Sequence, residues 1–457
     1  MSTIPAGAKP LPFGMSPARY KWFVVGILWF ICFFNYADRQ AIISTQPLLE
    51  QRFGFSKQEQ GWIVSAFMIV YAVTAPMAGQ VGDRLPRKLI IMAGLYVWSA
   101  VTGFTALCRT FWAFVGVRAA EGLGETFYFP ASMSLVSDYH GKSTRSRAMS
   151  IHQTSVYAGI IGGGSLAAWM GAEFGWWTPF VFLGGAGILL GMILGLFIRE
   201  PARNQAERAD AEAAAIAAND PGREEVGIEE PPAEAIPPMP LTQFLTEFMK
   251  TPSAVVLLIA FPCINFVAWV VISWMPTYLY EDFGQSVAMA GAKGTTWIQI
   301  GSLIGVIVGG WLADLWRHYI PGGRMGTQGV GLLLGAPFVY ICGTTGSLNI
   351  LIIMMALFGF FKGIYDSNIW ASLYDVVPAA RRSTAVGLMN MIGWIGASVA
   401  PPSVGYGIDH KLFTFGQAIA ATGAIYLALG LLLLFSALAL APRDVRRIAA
   451  KNAATLG

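Results

Sequence analysis

The chain has 457 residues, of which 55% are hydrophobic and only 12% are charged, with a formal net charge of +4 at pH 7. A soluble domain carries about 25% charged residues, so this composition excludes an ordinary soluble protein. Several apolar runs are about 20 residues long, which is the length of a helix that crosses a bilayer core of roughly 30 Å. Because the runs do not alternate apolar and polar residues, they predict membrane-spanning helices and argue against a β-barrel.

The N-terminal segment "MSTIPAGAKPLPFG" lacks the charged-then-apolar pattern of a signal peptide, so the first apolar run is expected to be a retained span. Four cysteines lie in apolar runs without paired spacing and are typical of small core residues, which predicts neither a disulfide framework nor a metal site. They are Cys32, Cys108, Cys263 and Cys342.

Twelve spans are predicted from the apolar runs. They cover approximately 22–45, 61–82, 88–108, 110–138, 146–170, 177–198, 253–280, 290–314, 327–346, 348–375, 383–405 and 414–440. A polar segment rich in Ala, Glu and Pro separates the sixth span from the seventh. We therefore expect an all-α membrane protein with an N-terminal six-helix bundle (1–198), a cytoplasmic linker (199–252), partly helical in its Ala/Glu half, and a C-terminal six-helix bundle (253–457).

Lysine and arginine are distributed unevenly among the predicted loops. Most of them lie in the tail before span one, in loops 2–3, 4–5, 8–9 and 10–11, and in the C-terminal tail, whereas the intervening loops carry few. Cytoplasmic loops carry the excess of basic residues. Both termini are therefore predicted to be cytoplasmic, as an even number of spans requires.

The two halves contain matching sequences at the end of the second span of each half. "GQVGDRLPRK" closes span two and "GGWLADLWRH" closes span eight, so that Gly79 and Asp83 match Gly310 and Asp314 at an offset of 231. The shared pattern is Gly-x-x-x-Asp followed by basic residues. It indicates an internal repeat of six spans.

A second match joins the ends of spans four and ten. "SLVSDYHGKSTRSRA" aligns with "ASLYDVVPAARRSTA" at an offset of 237, which places Asp138 on Asp375. The longer loop "RHYIPGGRMG" in the second half accounts for the difference between the two offsets. Parallel repeats of six helices are typical of one large transporter fold, whose substrate site lies between the halves near the middle of the membrane.

The segment "GQVGDRLPRK" resembles the loop 2–3 signature of the major facilitator superfamily, Gly-x-Leu-Ala-Asp-Arg-x-Gly-Arg-Lys, and departs from it at Gly82 and Pro86. With the span count and the repeat, the resemblance covers the whole chain. It implies a cytoplasmic gate in which Asp83 caps a neighbouring helix and pairs with a basic residue when the transporter opens outward. Positive-inside anchors without a gating role are the alternative. The expected gating residues are Gly79, Asp83, Arg84, Arg87, Asp314 and Lys362.

A charged pair interrupts the first apolar run in "FFNYADRQAI". Asp38 lies 16 residues past Trp22, or about 24 Å along a helix, so Asp38 and Arg39 are expected in the outer part of the hydrocarbon core or at its edge. Inserting an Asp or Arg at the centre of a span costs roughly 2.5–3.5 kcal/mol. Such a pair usually faces the protein interior and often functions there. An interfacial pair that only packs is the alternative.

Span four carries three charged residues in "RAAEGLGETFYFP". Arg118, Glu121 and Glu125 are spaced i, i+3 and i+7, which places them on one helical face. Two carboxylates one turn apart repel each other, and Arg118 can neutralise only one of them well. Burial and like charge both favour the protonated carboxyl, so one of the two is expected to take a proton near neutral pH. A salt bridge that only holds span four against a neighbour is the alternative.

Span ten carries Lys362 at the position that Glu125 occupies in span four, at the repeat offset of 237. Three partners are open for this cation. Asp366 lies one turn later, Glu125 lies across the expected cavity, and an anionic substrate is the third. The local pair with Asp366 is the default.

Three segments, "NYADRQAI", "GLGETFYFP" and "WMPTYLYEDFGQS", resemble the anion–cation symporter branch of the superfamily, which includes sugar-acid and aromatic-acid permeases and vesicular glutamate transporters. The resemblance implies that Arg39 binds a substrate carboxylate. It also implies that Asp38 and Glu125 carry the coupled proton, with Arg118 controlling the proton affinity of Glu125. Glu121 departs from the branch, which usually has an apolar or small residue there, and leaves the proton site open between Glu121 and Glu125.

The resemblance further implies that tyrosines of spans one and two hydrogen-bond the substrate. The residues expected to bind substrate are Arg39, Tyr36, Tyr71, Arg118, Gln153 and Asn390, and those expected to couple the proton are Asp38, Glu125 and Glu121. The Spinster-like branch, which moves lysolipids or sphingosine phosphate, is a close rival. It also carries Asn-Tyr-x-Asp-Arg and Gly-x-Gly-Glu, so these motifs do not separate the two branches.

Two sets of residues in the expected cavity favour different solutes, although each member alone is more typical of packing. A hydroxylated or carboxylated solute suits His152, Gln153, Gln299, Asn368 and Asn390. An aromatic group or a lipid tail suits Phe127, Tyr128, Trp269, Trp297 and Trp370.

Enzyme motifs are not found in the sequence. It has no His-Glu-x-x-His and no Gly-x-Ser-x-Gly, and "GKS" at 141–143 lacks the glycine that a phosphate loop needs at Val136. We therefore predict no enzyme activity and no cofactor or metal. The expected function is proton-coupled symport of a small organic anion, a sugar acid or an aromatic or other carboxylate, by alternating access. Proton-linked transport of a lysolipid or sphingolipid is the alternative, and a sensor on the same fold is a further one.

The expected partners are the organic anion, a proton and the lipid bilayer, with no nucleic acid. The chain is expected to be a monomer in the inner cell membrane.

Overall fold

A computed structural model describes residues 11–141, 143–202, 205–206, 210, 241–378 and 381–454. Across these residues the regular elements are helices. Those of the first half are α1 (Pro17–Ser44), α2 (Gln46–Phe53), α3 (Lys57–Arg84), α4 (Arg87–Thr105), α5 (Phe111–Thr126), α6 (Tyr128–Tyr139), α7 (Arg145–Phe174) and α8 (Thr178–Phe197).

The second half begins with a short helix that the sequence placed in the linker. Its helices are α9 (Leu241–Met249), α10 (Pro252–Glu281), α11 (Val287–Trp316), α12 (Gly323–Thr344), α13 (Leu348–Asp366), α14 (Ile369–Val376), α15 (Arg382–Asp409), α16 (Phe415–Phe435) and α17 (Ala441–Ala454), with a π-helical turn at Ser436–Leu440. In α9, Phe244 and Phe248 are buried in the apolar core of this half. The Ala/Glu part of the predicted linker lies largely outside the described residues, and the division at 198 and 253 stays a prediction.

Ten helices of the described chain are long and apolar enough to cross a membrane. The other two predicted spans are also helical. Span four consists of α5 and α6, which Phe127 separates, and span five is the 30-residue α7, which carries polar residues such as His152 and Gln153. The predicted all-α membrane architecture is therefore confirmed.

Capping explains why α3 begins before its apolar run. Gly54 adopts a left-handed conformation (φ 69°) at the end of α2 and reverses the chain. The Ser56 amide then donates to Glu59 Oε2 at 2.9 Å, and the Glu59 amide donates to Ser56 Oγ at 3.2 Å. This reciprocal capping box starts the helix at Lys57, four residues before the predicted span.

Each half contains an ion pair at equivalent positions of the internal repeat. Arg87 Nη1 lies 3.1 Å from Asp138 Oδ2, and Arg324 Nη1 lies 2.7 Å from Asp375 Oδ1. Both pairs join the start of one span to the end of the next, at the side of the molecule where α1 begins and α16 ends. We call this side the terminal end and the opposite side the distal end. Arg324 follows Arg87 at the offset of 237 that relates the two aspartates.

The two halves pack against each other through α3 with α15 and through α7 with α11. Glycines allow these helices to approach closely at the distal end. A Cβ on Gly61 would lie 2.5 Å from the carbonyl carbon of Pro401, and a Cβ on Gly291 would lie 2.3 Å from the Cβ of Ala168. Such contacts between small residues are a common way for membrane helices to associate.

Replacing Gly291 by valine is expected to prevent closure of the distal end. Overpacking of this kind costs about 1–3 kcal/mol, which corresponds to a shift of about 5–150-fold in a two-state equilibrium. A cysteine introduced at Thr295, which is buried beside Gly164 of α7, should then react faster with a membrane-impermeant maleimide.

Gly185→Val is the matched control, because a Cβ at Gly185 of α8 meets nothing within 4 Å. Equal labelling of the Thr295→Cys site in both valine variants would show that the α7–α11 contact does not hold the distal end shut.

Candidate functional site

Spans four and ten are interrupted at similar positions. Span four breaks at Phe127, two residues after Glu125, and span ten breaks at Ser367 and Asn368, directly after Asp366. Beside the first break, the hydroxyl of Thr126 donates to the backbone carbonyl of Gly122 at 2.6 Å, a contact that tends to bend helices. Discontinuous helices in corresponding positions of two repeats indicate a binding site in transporters.

Five charged residues meet between α1 and α5 and form what we call the charged cluster. They are Asp38, Arg39, Arg118, Glu121 and Glu125, and each is at most 7% exposed. Oxygen atoms of the three carboxylates lie within 4.8 Å of one another. With all five groups ionised the cluster has a net charge of −1, so one proton makes it neutral.

Each arginine of the charged cluster contacts a different glutamate. Arg39 Nε donates to Glu125 Oε2 at 2.5 Å, and Arg118 Nη1 pairs with Glu121 Oε2. The family resemblance implied that Arg118 acts on Glu125, and the structure gives these groups different direct partners. The reason is geometric, because Glu121 lies one turn from Arg118 whereas Glu125, two turns away, lies against α1.

Each carboxylate of the charged cluster has one oxygen atom that makes no hydrogen bond to the described residues. Asp38 Oδ2 accepts a hydrogen bond from Thr102 Oγ1 at 3.4 Å, while Asp38 Oδ1, Glu121 Oε1 and Glu125 Oε1 have no hydrogen-bond partner among the described residues. A buried charged oxygen without a partner is costly. The arrangement therefore favours a proton on one carboxyl of the charged cluster.

Four rings surround the guanidinium group of Arg39, and we call them the aromatic cage. The Arg39 Cζ atom lies 4.6 Å from the ring centroid of Tyr36, 4.9 Å from Phe67, 5.1 Å from Tyr71 and 6.0 Å from Trp394. Trp394 belongs to α15, so the cage includes a residue from each half. Trp394 was not among the site residues predicted from the sequence, although a large ring within the Gly-rich "MIGWIGASVAPPSVG" could have indicated it.

Of the other predicted substrate residues, Tyr36 and Tyr71 belong to the aromatic cage, whereas Gln153 lies on α7 and Asn390 lies on α15. Gln153 is exposed and lies one turn before Tyr157 on α7. Asn390 is half-buried and lies one turn before Trp394 on α15. Tyr36 and Tyr71 contribute ring faces to Arg39.

Two of the polar cavity candidates make packing contacts within one half. His152 Nε2 lies 3.2 Å from the hydroxyl of Tyr128 in a buried site. Asn368 Nδ2 donates to the backbone carbonyl of Gly309 at 3.1 Å and thereby ties the break in span ten to α11. These side chains support helix packing.

The predicted gating residues are only partly visible. The side chains of Asp83 and Arg84 and the surroundings of Gly79 lie outside the described part of the chain. Arg87 pairs with Asp138 as described above, Asp314 Oδ1 lies 3.7 Å from Arg317 Nε on an exposed surface, and Lys362 pairs with Asp366. The default partner of Lys362 is therefore the one observed.

A polar gate at the distal end was not predicted. Lys57 of α3 pairs with Glu50 of its own half and with Glu281 of the other half, and the carboxylate of Asp409 accepts hydrogen bonds from the amides of Lys57 (3.0 Å) and Gln58 (2.8 Å). Ser65 Oγ also donates to the carbonyl of Ser398 at 2.6 Å. These contacts close the distal end across the two halves. The contacts between the halves join residues more than 200 positions apart in the sequence, and no local pattern connects them.

Comparison with known proteins identifies the family. Residues 28–401 and 281–456 match the model of the family described as the Major Facilitator Superfamily. The chain belongs to the major facilitator superfamily. A superfamily member from Bacillus subtilis (strain 168), a probable galactarate/D-glucarate transporter, is 28% identical over 442 residues, which cover 93% of this chain and 91% of that protein.

Other superfamily relatives represent both branches that the sequence suggested. The hexuronate transporter of Bacillus subtilis (strain 168) is 25% identical over 427 residues, covering 92% of this chain and 94% of that protein. Protein spinster homolog 1 of Homo sapiens is 27% identical over 400 residues, covering 81% and 70%.

A solved structure shares the superfamily fold. It is a bacterial homolog of the human lysosomal transporter Spinster in an inward-facing and unoccupied conformation, with a TM-score of 0.72 and 22% identity, covering 97% of this chain and 99% of that chain. The predicted family and fold are therefore confirmed. The protein is a multi-pass membrane transporter and not an enzyme.

Proposed function

We propose that the protein is a proton-coupled symporter of a small organic anion and works by alternating access. The observation that carries this proposal is the contact between Arg39 Nε and Glu125 Oε2 in the buried charged cluster. A proton on Glu125 removes the charge that competes for Arg39. The guanidinium group can then bind a substrate carboxylate, so the proton and the anion favour each other's binding.

Neutralisation links binding to movement of the two halves. A charge that is closed away from water is costly unless it is paired. With a monovalent anion on Arg39 and protons on Glu125 and Asp38, the site has no net charge and the cost of closing it falls. Glu121 bonds to Arg118 in the same cluster and is the third carboxyl that can share the proton.

We place both termini in the cytoplasm and the protein in the inner cell membrane, because the basic residues lie mainly in the terminal tails and in the loops on their side. In this orientation the closed distal end faces outward. Opening outward then requires the distal contacts of Lys57 and Asp409 to separate.

The names of the sugar-acid relatives support an organic anion as substrate. Proton-linked transport of a lysolipid or sphingolipid is the second candidate, because protein spinster homolog 1 is similar over 81% of this chain. An organic acid and a lysophospholipid both present an anionic group, so Arg39 alone does not separate them.

Uptake by the purified protein in proteoliposomes tests the proposal. We would first screen sugar acids, aromatic acids and lysolipids by thermal shift, and then measure uptake of the stabilising compounds under a pH gradient, with choline replacing sodium. Accumulation of an anion that a protonophore abolishes is the expected result. Uptake that needs sodium or ignores the protonophore would overturn proton coupling, and flux of lysolipids alone would favour the second candidate.

A further inference from the structure

A groove runs along the second half between α15 and α16. Both helices pack on α10 and only weakly on each other. The groove has a volume of about 620 Å³, which lies within the range of ligand-binding clefts, roughly 300–1,000 Å³. The buried Val270 of α10 lines its base, and the exposed Ser403 of α15 and Ala421 of α16 line its two sides. We call this space the lateral groove.

The surface of the lateral groove is apolar, because its hydroxyl groups bond to their own helices. Ser403 Oγ donates to the carbonyl of Ala400 at 3.0 Å, and Thr422 Oγ1 donates to the carbonyl of Ile419 at 2.6 Å. Apart from Gln417, the remaining lining is aliphatic and aromatic. An exposed apolar surface of this size indicates an interaction site, and in a membrane protein it suits a hydrocarbon chain of the bilayer.

A polar cavity of about 380 Å³ adjoins the lateral groove. Both spaces are lined by Leu412, Phe413 and Gln417. Three membrane spans have their distal ends at the polar cavity, since α10 ends at Glu281, α15 ends at Asp409 and α16 begins at Phe415. The polar cavity therefore lies at the level of the lipid head groups, and the lateral groove lies at the level of the acyl chains.

The polar cavity contains two charges of opposite sign that are not paired. Asp282 and Lys411 both line it, and neither forms an ion pair with another described residue. Glu281, the third charged residue of the cavity, pairs with Lys57. Partial burial raises the pKa of Asp282, with no cation nearby to lower it. A ligand with one cationic and one anionic group complements this arrangement.

Lys411 occupies a backbone position at which glycine is usual. Its φ of 55° is in the left-handed region, and it ends α15 in a Schellman motif. In this motif the Leu412 amide donates to the carbonyl of Gly407 at 2.8 Å, and the Lys411 amide donates to the carbonyl of Ile408 at 3.0 Å. A residue with a Cβ is strained there, and strain of this kind is concentrated at functional sites. The lysine is present despite this cost, which indicates a use for its charge.

The polar cavity lies beside the contacts that close the distal end. Glu281, next to Asp282, pairs with Lys57 of the first half. Asp409, two residues before Lys411, accepts a hydrogen bond from the Lys57 amide at 3.0 Å. A ligand that bridges Asp282 and Lys411 fixes the ends of α10 and α15 relative to each other. It thereby holds both acids in position for the start of α3.

We propose that the lateral groove and the polar cavity together bind a bilayer phospholipid with an ethanolamine head group. Its phosphate lies on Lys411, its ammonium lies on Asp282, and one acyl chain lies in the groove. A phosphatidylglycerol head leaves Asp282 without a cation, and a phosphatidylcholine head carries a quaternary ammonium that donates no hydrogen bond. The bound lipid favours the closed distal end.

Native mass spectrometry of the purified protein measures which lipid is retained. From an equimolar mixture with the same acyl chains, we expect about tenfold more phosphatidylethanolamine than phosphatidylglycerol or phosphatidylcholine, which is the effect of one charged hydrogen bond. Asp282→Asn removes the partner of the ammonium, and Ala421→Trp fills the groove, so each should lower the retained phosphatidylethanolamine to the level of the other lipids. Lys411→Gly should do the same and also raise the Tm of the lipid-free protein, because glycine relieves the strain at this position.

Glu173→Gln and Ala428→Trp are the matched controls. Glu173 is an exposed carboxylate at the distal end of α7, and Ala428 is exposed on α16 two turns beyond Ala421 and outside the groove. Both variants should retain phosphatidylethanolamine as the wild type does. Equal retention of the three lipids by the wild type overturns the proposed head group, and wild-type retention in the three site variants overturns the site.

Labelling of the Thr295→Cys site tests the effect on the distal end. The maleimide should react more slowly in nanodiscs of phosphatidylethanolamine than in nanodiscs of phosphatidylcholine, and Asp282→Asn should remove the difference. Equal rates in the two lipids would show that the bound lipid does not hold the distal end closed.

Discussion

Asp38→Asn and Glu125→Gln are each expected to abolish accumulation of the anion against its gradient while exchange of anion for anion continues. An amide keeps the shape of the side chain but cannot take up and release a proton. A gradient of one pH unit supports about tenfold accumulation per coupled proton, and in these variants the ratio should fall to about one. Uptake and counterflow in proteoliposomes measure the two activities separately.

Glu173→Gln provides the control, because this carboxylate at the end of α7 is exposed. Glu121→Gln decides whether the third carboxyl shares the proton, since its ion pair with Arg118 lies within the same cluster. Wild-type accumulation in both Asp38→Asn and Glu125→Gln would contradict the proton role of these residues.

Arg39→Lys is expected to weaken anion binding about 10–100-fold, in line with the loss of a charged hydrogen bond of about 1.5–3 kcal/mol. Lysine keeps the charge but lacks the planar donors that bind a carboxylate through two parallel bonds. It also loses the flat contact with the rings of Tyr36 and Phe67. Titration calorimetry with the transported anion measures the change.

Arg109→Lys is the corresponding control, because Arg109 donates to the backbone carbonyls of Ala106 (2.9 Å) and Cys108 (2.7 Å) in a distal loop. Binding to it should equal that of the wild type. An Arg39→Lys variant with affinity within about threefold of the wild type would rule out the carboxylate clamp.

Local sequence patterns predicted the helices and the faces of the charged residues. Apolar run lengths identified the spans, and the i, i+3, i+7 spacing correctly grouped Arg118, Glu121 and Glu125. The repeat offset of 237 also anticipated that Asp138 and Asp375 occupy equivalent sites. These features depend on helical periodicity, which is visible in one sequence.

Contacts between distant helices could not be predicted in the same way. Periodicity defines the face of a helix but not how the helix is rotated against a neighbour. The sequence therefore could not decide whether Glu125 contacts Arg118 on its own helix or Arg39, which is 86 residues away. For the same reason, the sequence did not predict that Trp394 lies beside Arg39 or that Lys57 contacts Asp409 at the distal end. Span boundaries also shifted outward where polar capping residues extend a helix.

The interruptions of spans four and ten separate the short helices α6 and α14 from the segments that carry Glu125 and Lys362. α6 and α14 carry Asp138 and Asp375, each tied by an arginine to the neighbouring span. If the two short helices tilt at their breaks, α6 and α14 move together while the segments that carry Glu125 and Lys362 stay in place. Spectroscopic labels on α6 and α14 would then report a larger displacement than labels on α5 and α13. The apparent size of the transport movement therefore depends on which side of a break carries the label.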